Sequence, residues 1–186
     1  LGYTHCSIED IAVLRSIPNI AIVSPADGAE ILKTLDASLN YHQSVYIRLT
    51  GKANNPIVYE KDYNFEIGKS IKIKEGKDVT IFANGSMVSV ANEAAKILDK
   101  IKISTEVINM HTIKPIDKDQ IKKSSKNSKL LVSLEEHSII GGLGSSITEA
   151  MDELSLRPKL LKLGLEDKYN FSGEYNYVLE KNNLTS

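Results

Sequence analysis

Cysteine is nearly absent from this sequence: Cys6 is the only one in 186 residues. An internal disulfide is therefore excluded, and a lone thiol suits a reducing compartment. Net charge is just as scarce, with 23 lysines and arginines against 24 aspartates and glutamates, for a formal value of -1. Without a global basic field, nucleic acid is not an expected partner. The local basic cluster "KKSSKNSK" (residues 122–129) reads as a solvated loop. Long apolar runs are missing too. No stretch approaches the roughly 20 residues of a membrane span, and no signal-peptide pattern is found. The sequence thus predicts a cytoplasmic protein that binds neither membrane nor nucleic acid. Internal repeats and low-complexity tracts are also lacking.

Hydrophobic residues make up 41% and charged residues 25%, the composition of a globular domain, and the length suits one domain or one domain with part of another. The chain opens in the motif-like stretch "LGYTHCSIED" without a methionine and closes on "YVLEKNNLTS" as a helical pattern begins. Both features read as a fragment of a longer protein, or as the product of processing.

Periodicity divides the chain. Polar cap formers at 7–10 precede a short helix "IAVLRSI" that Pro18 ends. "IAIV" reads as a buried strand. A helix follows, with Asp27 as N-cap, Glu30 in capping-box spacing, and Ile31, Leu32, Leu35 and Leu39 as its apolar stripe. "SVYIRL" is the next strand. We read 1–50 as one α/β unit, 51–76 as a linker with a hairpin arm in "FEIGKSIKIKEGKD", and 77–186 as a second unit. In that second unit strands "DVTIFA", "TEVINM", "KLLVSL" and "KLLKLGL" alternate with helices. Alternation of this kind predicts a three-layer α/β/α fold around a mostly parallel sheet.

Three glycines crowd "EEHSIIGGLGSSITEA", between a predicted strand and a predicted helix. Open α/β sheets bind ligands at such a turn, and helix N-termini attract anions. The spacing lacks the third glycine of a dinucleotide loop and the lysine of a P-loop. Glu135, Glu136 and His137 are consecutive, so a strand cannot aim all three at one metal. A tight turn with close helix packing is the favoured reading, and a ligand site the other.

This stretch, with "VINMHTIKPID" and "GKDVTIFANGSMV", resembles the C-terminal domain of the transketolase family. "GYTHCSIEDIAVLRSIPNIAIVSPADGAE" with "VYIRL" resembles the end of that family's pyrimidine-binding domain. The order of both domains is kept, and the separately encoded C-terminal sections of transketolase are most similar. The resemblance implies transfer of a two-carbon ketol unit between sugar phosphates on thiamine diphosphate. The cofactor supplies the carbanion chemistry, while protein groups orient it and move protons.

His5 matches the histidine of the family's Gly-Pro-Thr-His motif, here Gly2-Tyr3-Thr4-His5, and the resemblance makes it a catalytic proton-handling group. Arg48 matches an arginine that binds the substrate phosphate, a task suited to a guanidinium. His111 and His137 are expected in turn or interface roles, whereas His42 and Cys6 carry no specific signal. The family's Gly-Asp-Gly motif for the metal-bound diphosphate is nowhere in the sequence. The pyrimidine-activating glutamate and its aromatic neighbours likewise have no counterpart. The resemblance therefore implies thiamine diphosphate and Mg2+ in a full assembly but none on this chain alone. It also implies an N-terminal section as partner and a homodimer formed through the C-terminal domain. Two other readings stay open: a 1-deoxyxylulose-5-phosphate synthase-like enzyme, and a non-catalytic α/β assembly module.

Overall fold

The computed structural model describes residues 7–50, 55–155, 157–169 and 172–185. Helix α1 (Asp10–Arg15) leads into strand β1 (Ile20–Val23), and helix α2 (Gly28–Leu39) crosses over to strand β2 (Ser44–Ile47). The β-branched run of β1 lies parallel to β2, Ile20 opposite Ser44 and Val23 opposite Ile47. At the start of α2 the Asp27 carboxylate accepts the Glu30 amide at 2.9 Å. Glu30 in turn accepts the Ala26 amide at 2.6 Å, so the predicted capping box is present.

The second unit runs through β3 (Ile71–Lys74), β4 (Val79–Ala83), α3 (Met87–Lys100), β5 (Thr105–Asn109), β6 (Thr112–Lys114) and α4 (Lys118–Asn127). It continues with β7 (Leu130–Ser138), α5 (Leu143–Met151), β8 (Lys159–Leu165) and α6 (Tyr175–Lys181). Five strands form a sheet in the order β3-β5-β4-β7-β8, parallel except for β3. One core lies on the α3 and α6 face and holds Met87, Ala91, Ala95 and Leu179. The other holds Ile121 of α4 with Leu143, Ile147 and Met151 of α5. The mixed fold with helices on both faces of a mostly parallel sheet is as expected.

Four local expectations need correction. Residues 71–74 make no hairpin: β3 pairs antiparallel with β5, Ile71 opposite Asn109, and forms an edge of the large sheet. Alternation in sequence reveals a strand but not its partner. The basic cluster is no loop, because most of it forms the second half of α4, where Ser124 and Ser125 are buried and the lysines point outward. Most of the leucine stripe of α2 faces away from its own sheet. Leu32 is 68% and Leu39 82% exposed, whereas Glu30 and Thr34 are buried. Finally, the short β6 went unrecognised. It adds antiparallel to β1, making a second sheet in the order β2-β1-β6, so the C-terminal unit contributes a strand to the N-terminal one.

Candidate functional site

In the large sheet β5 and β7 flank β4 on opposite sides, which makes the carboxyl end of β4 a topological switch point. Ligands of open α/β sheets usually lie there. Here the crevice is occupied by the N-terminal unit. The Gly85 amide donates to the Ser24 carbonyl at 3.1 Å, and the Ser24 amide to the His111 carbonyl at 2.7 Å. Gly85 has φ +55, and a Cβ there would stand 2.7 Å from Ser24 Oγ. Ile8 and Ala26 extend into the core of the second unit.

The glycine-rich turn is closed from within. Glu135 Oε2 accepts the Leu143 amide at 2.6 Å and Oε1 the Gly144 amide at 2.9 Å. The anion that the N-terminus of α5 would attract is thus the chain's own carboxylate. A Cβ on Gly142 would lie 2.0 Å from Glu135 Oε2 and 2.7 Å from His137 Nδ1. That glycine lets the carboxylate approach the backbone. The expected tight turn is what the structure contains. Burial pushes the Glu135 carboxyl up to about 7, against the downward pull of the two amides.

His137 is buried beside it, with Nδ1 3.7 Å from Glu135 Oε2 and Nε2 3.9 Å from Asp10 Oδ1. Its Nδ1 donates to the Ser138 carbonyl at 2.7 Å, and Nε2 accepts the Ala12 amide at 3.4 Å. These partners fix a neutral ring, and burial lowers its tendency to take a second proton. His137 therefore joins β7 to α1 and acts at the contact between the units. His111 is buried too, stacked on Phe65 at 4.3 Å between centroids, and burial holds its pKa down to about 3.

His5 lies outside the described residues. Arg48 follows β2 and is buried. Its Nε donates to both Asp10 oxygens at 3.0 and 3.1 Å, and its Nη2 to the carbonyls of Ser7 and Glu136 at 3.0 and 2.9 Å. Tyr46 adds a hydrogen bond to Asp10 at 2.9 Å. The guanidinium fork expected to clamp a phosphate is engaged with the protein. Asp10, read from sequence as a cap former, makes no side-chain cap; it is the counter-ion of Arg48. No spacing rule could reveal a pair 38 residues apart.

A second buried carboxylate fastens the linker. Glu30 accepts from Asn109 Nδ2 at 2.9 Å and from the hydroxyls of Tyr59 and Tyr63 at 3.1 and 3.3 Å. Desolvation raises its pKa, with the Ala26 amide and the Asn109 side chain opposing. Glu30 was visible in the sequence only as a capping residue. Among the described residues no group of three His, Cys, Asp or Glu side chains could hold a metal ion. None of the helices described is long and apolar enough to cross a membrane.

The family model of the transketolase C-terminal domain matches residues 68–182, and that of the transketolase pyrimidine-binding domain matches residues 1–56. The chain belongs to the transketolase family. It is 37% identical, over its whole length, to the 6-deoxy-6-sulfo-D-fructose transketolase subunit SqwH of Clostridium sp. (strain MSTE9), and spans 57% of that protein. It is also 37% identical to the 1-deoxy-D-xylulose-5-phosphate synthase of Caldanaerobacter subterraneus subsp. tengcongensis, of which it spans 30%. Among solved structures, a split-gene transketolase described as an inactive β4 tetramer matches with a TM-score of 0.89 and 40% identity. That match covers 98% of this chain and 58% of the other. The chain thus spans little more than half of such transketolase relatives.

Proposed function

We propose that this chain is the C-terminal section of a thiamine diphosphate-dependent transketolase that transfers a two-carbon ketol unit between sugar phosphates. The observation that carries the reading is the likeness of nearly the whole chain, both sheets included, to a split-gene transketolase chain. His5 is the proton-handling residue in this reading. Thiamine diphosphate and Mg2+ are held mainly by an N-terminal section, since no metal-ligand group stands among the described residues here. When bound, the cofactor supplies the carbanion chemistry.

Two surface features support assembly with further protein. Strand β2 ends its sheet, with no partner on its outer side among the described residues, and parallel strands are normally covered. Beside it lies the exposed leucine stripe of α2. A cytoplasmic homodimer built through the C-terminal domain, acting on pentose and related sugar phosphates, completes the proposal.

The test is reconstitution with the N-terminal section and a panel of donor and acceptor sugar phosphates. Ketol transfer is the expected result. Formation of 1-deoxyxylulose 5-phosphate instead would favour the synthase reading, to which the 37% identity with such an enzyme lends weight. Calorimetry with thiamine diphosphate and Mg2+ should detect tight binding only when both sections are present. Micromolar binding by this chain alone would overturn the divided site.

A further inference from the structure

We infer that the C-terminal unit fixes the position of residues 7–10, and through them the setting of His5, by a clamp in which Arg48 is the central positioning residue. The inference rests on the proposed ketol-transfer reading and gives the C-terminal unit a part in catalysis beyond assembly.

Three elements meet at one guanidinium. Arg48 itself stands at the end of β2 in the small sheet. Its Nη2 bridges the Ser7 carbonyl, two residues after His5 in sequence, to the Glu136 carbonyl of β7 in the large sheet, at 3.0 and 2.9 Å. Its Nε is held by the Asp10 carboxylate at the start of α1, and both side chains of this pair are 8% exposed. The fork is therefore fixed on two sides, and its charge is already matched. A guanidinium so placed works as a rigid spacer, because both edges of its plane carry directed hydrogen bonds.

Independent contacts seize the same short segment. The Ser138 amide of β7 donates to the Ile8 carbonyl at 2.9 Å. The Ile8 side chain packs into the core shared by β4, α3 and β7. One turn later the Ala12 amide reaches His137 Nε2. Four consecutive residues of the N-terminal unit thus take their placement from the C-terminal unit and from Arg48. A side chain that must meet a reacting carbon needs such a fixed base, since displacement of about 1 Å can cost on the order of a hundredfold in rate.

The test uses the reconstituted two-section enzyme with Arg48→Lys and, separately, Ile8→Ala. Lysine keeps the charge but has one nitrogen and cannot serve Asp10, Ser7 and Glu136 together. Ile8→Ala loosens the same segment without touching any charge, and it keeps the test open if the lysine variant fails to fold. Turnover is measured with a phosphorylated ketose donor and with an unphosphorylated one, alongside amide exchange over residues 7–12. The clamp predicts a fall in kcat of at least tenfold on both donors alike, KM within about twofold, and faster exchange in both variants. A rise in KM confined to the phosphorylated donor in Arg48→Lys would assign Arg48 to the substrate phosphate and overturn the proposal. Unchanged kcat and exchange in both variants would overturn it as well. Should the wild-type enzyme use neither donor, the ketol-transfer reading falls, while amide exchange still decides whether the clamp exists.

Discussion

The two sheets of this protein are built from similar strands yet differ in how they are closed. The five-stranded sheet has helices on both faces, and its switch-point crevice is filled. The three-stranded sheet borrows β6 from the other unit on one side and leaves β2 as its edge on the other. Its own core is small, with Ile11, Ile22 and Ile113 on one face and Ala21, Val23 and Ile67 on the other. Two of those residues, Ile67 and Ile113, lie beyond the first unit in sequence. The smaller sheet therefore depends on the larger for a strand, for core and for the placement of α1. Polar side chains at the junction, Asp10, Arg48, Glu135 and His137, take the place that a ligand would have in a free-standing α/β domain.

Breaking the junction should show this dependence most strongly at Gly142. With a Cβ 2.0 Å from Glu135 Oε2, Gly142→Ala must displace the buried carboxylate or the turn. We expect a loss on the order of 4 kcal/mol or more, read as insoluble protein or a collapse of the thermal midpoint. The nearby control is Gly28→Ala at the start of α2, where nothing lies within 4 Å, so stability should hold or rise slightly. If Gly142→Ala melts like the wild type, the closed turn is not a structural necessity.

The next largest effect belongs to the buried pair. Asp10→Asn keeps the volume but leaves the Arg48 charge unmatched, at a cost of about 3 kcal/mol. Chemical denaturation should show the loss, with proteolysis appearing first in the N-terminal unit. Uniform loss across both units would mean that the two fold as one cooperative body.

Acid sharpens the comparison by acting on buried histidines. The unfolded chain protonates His111 below about pH 6.5, whereas the folded chain does so only near about 3. Stability from this group is thus lost as the pH falls from about 6.5 towards 3, by up to about 1.4 kcal/mol per pH unit. His137 has the same sign. Glu135 has the opposite one, since its carboxyl is raised to about 7, and its contribution declines as the pH rises from about 4.5 to 7. Melting curves of His111→Phe against wild type should converge at neutral pH and separate in acid, with the variant higher. Parallel curves would show that His111 remains protonated in the fold.

The smallest effect on the fold is expected at the surface of α2. Leu39→Gln should change stability by no more than about 0.5 kcal/mol, because Leu39 is largely exposed. If the leucine stripe meets a partner, the same substitution should weaken association in sedimentation runs. A clear drop in melting temperature for this chain alone would instead give Leu39 a place in the core.

Much of the fold was legible along the chain. The strands "IAIV", "DVTIFA" and "KLLVSL", the capping box at Asp27 and Glu30, and the alternation that predicts an α/β/α fold are all signals within a few residues. The candidate site was legible only in part. "GGLG" marked a turn but did not say that Glu135 would fill it. Arg48 stood out at a strand end, yet its partners Asp10 and Glu136 are 38 and 88 residues away. The leucines of α2 show why periodicity is incomplete evidence: it reveals an apolar face and says nothing of what covers it.

By itself, then, the sequence determined the alternation of elements, the parallel sheet and the family, because these follow from local periodicity and short motifs. Tertiary structure alone decided that β6 crosses to the smaller sheet, that the N-terminal unit closes the crevice, and that Arg48 meets Asp10 and two carbonyls. The physical reason is desolvation. A carboxylate or guanidinium becomes costly only once neighbours exclude water, and it must then take whatever partner the assembled sheets bring within reach.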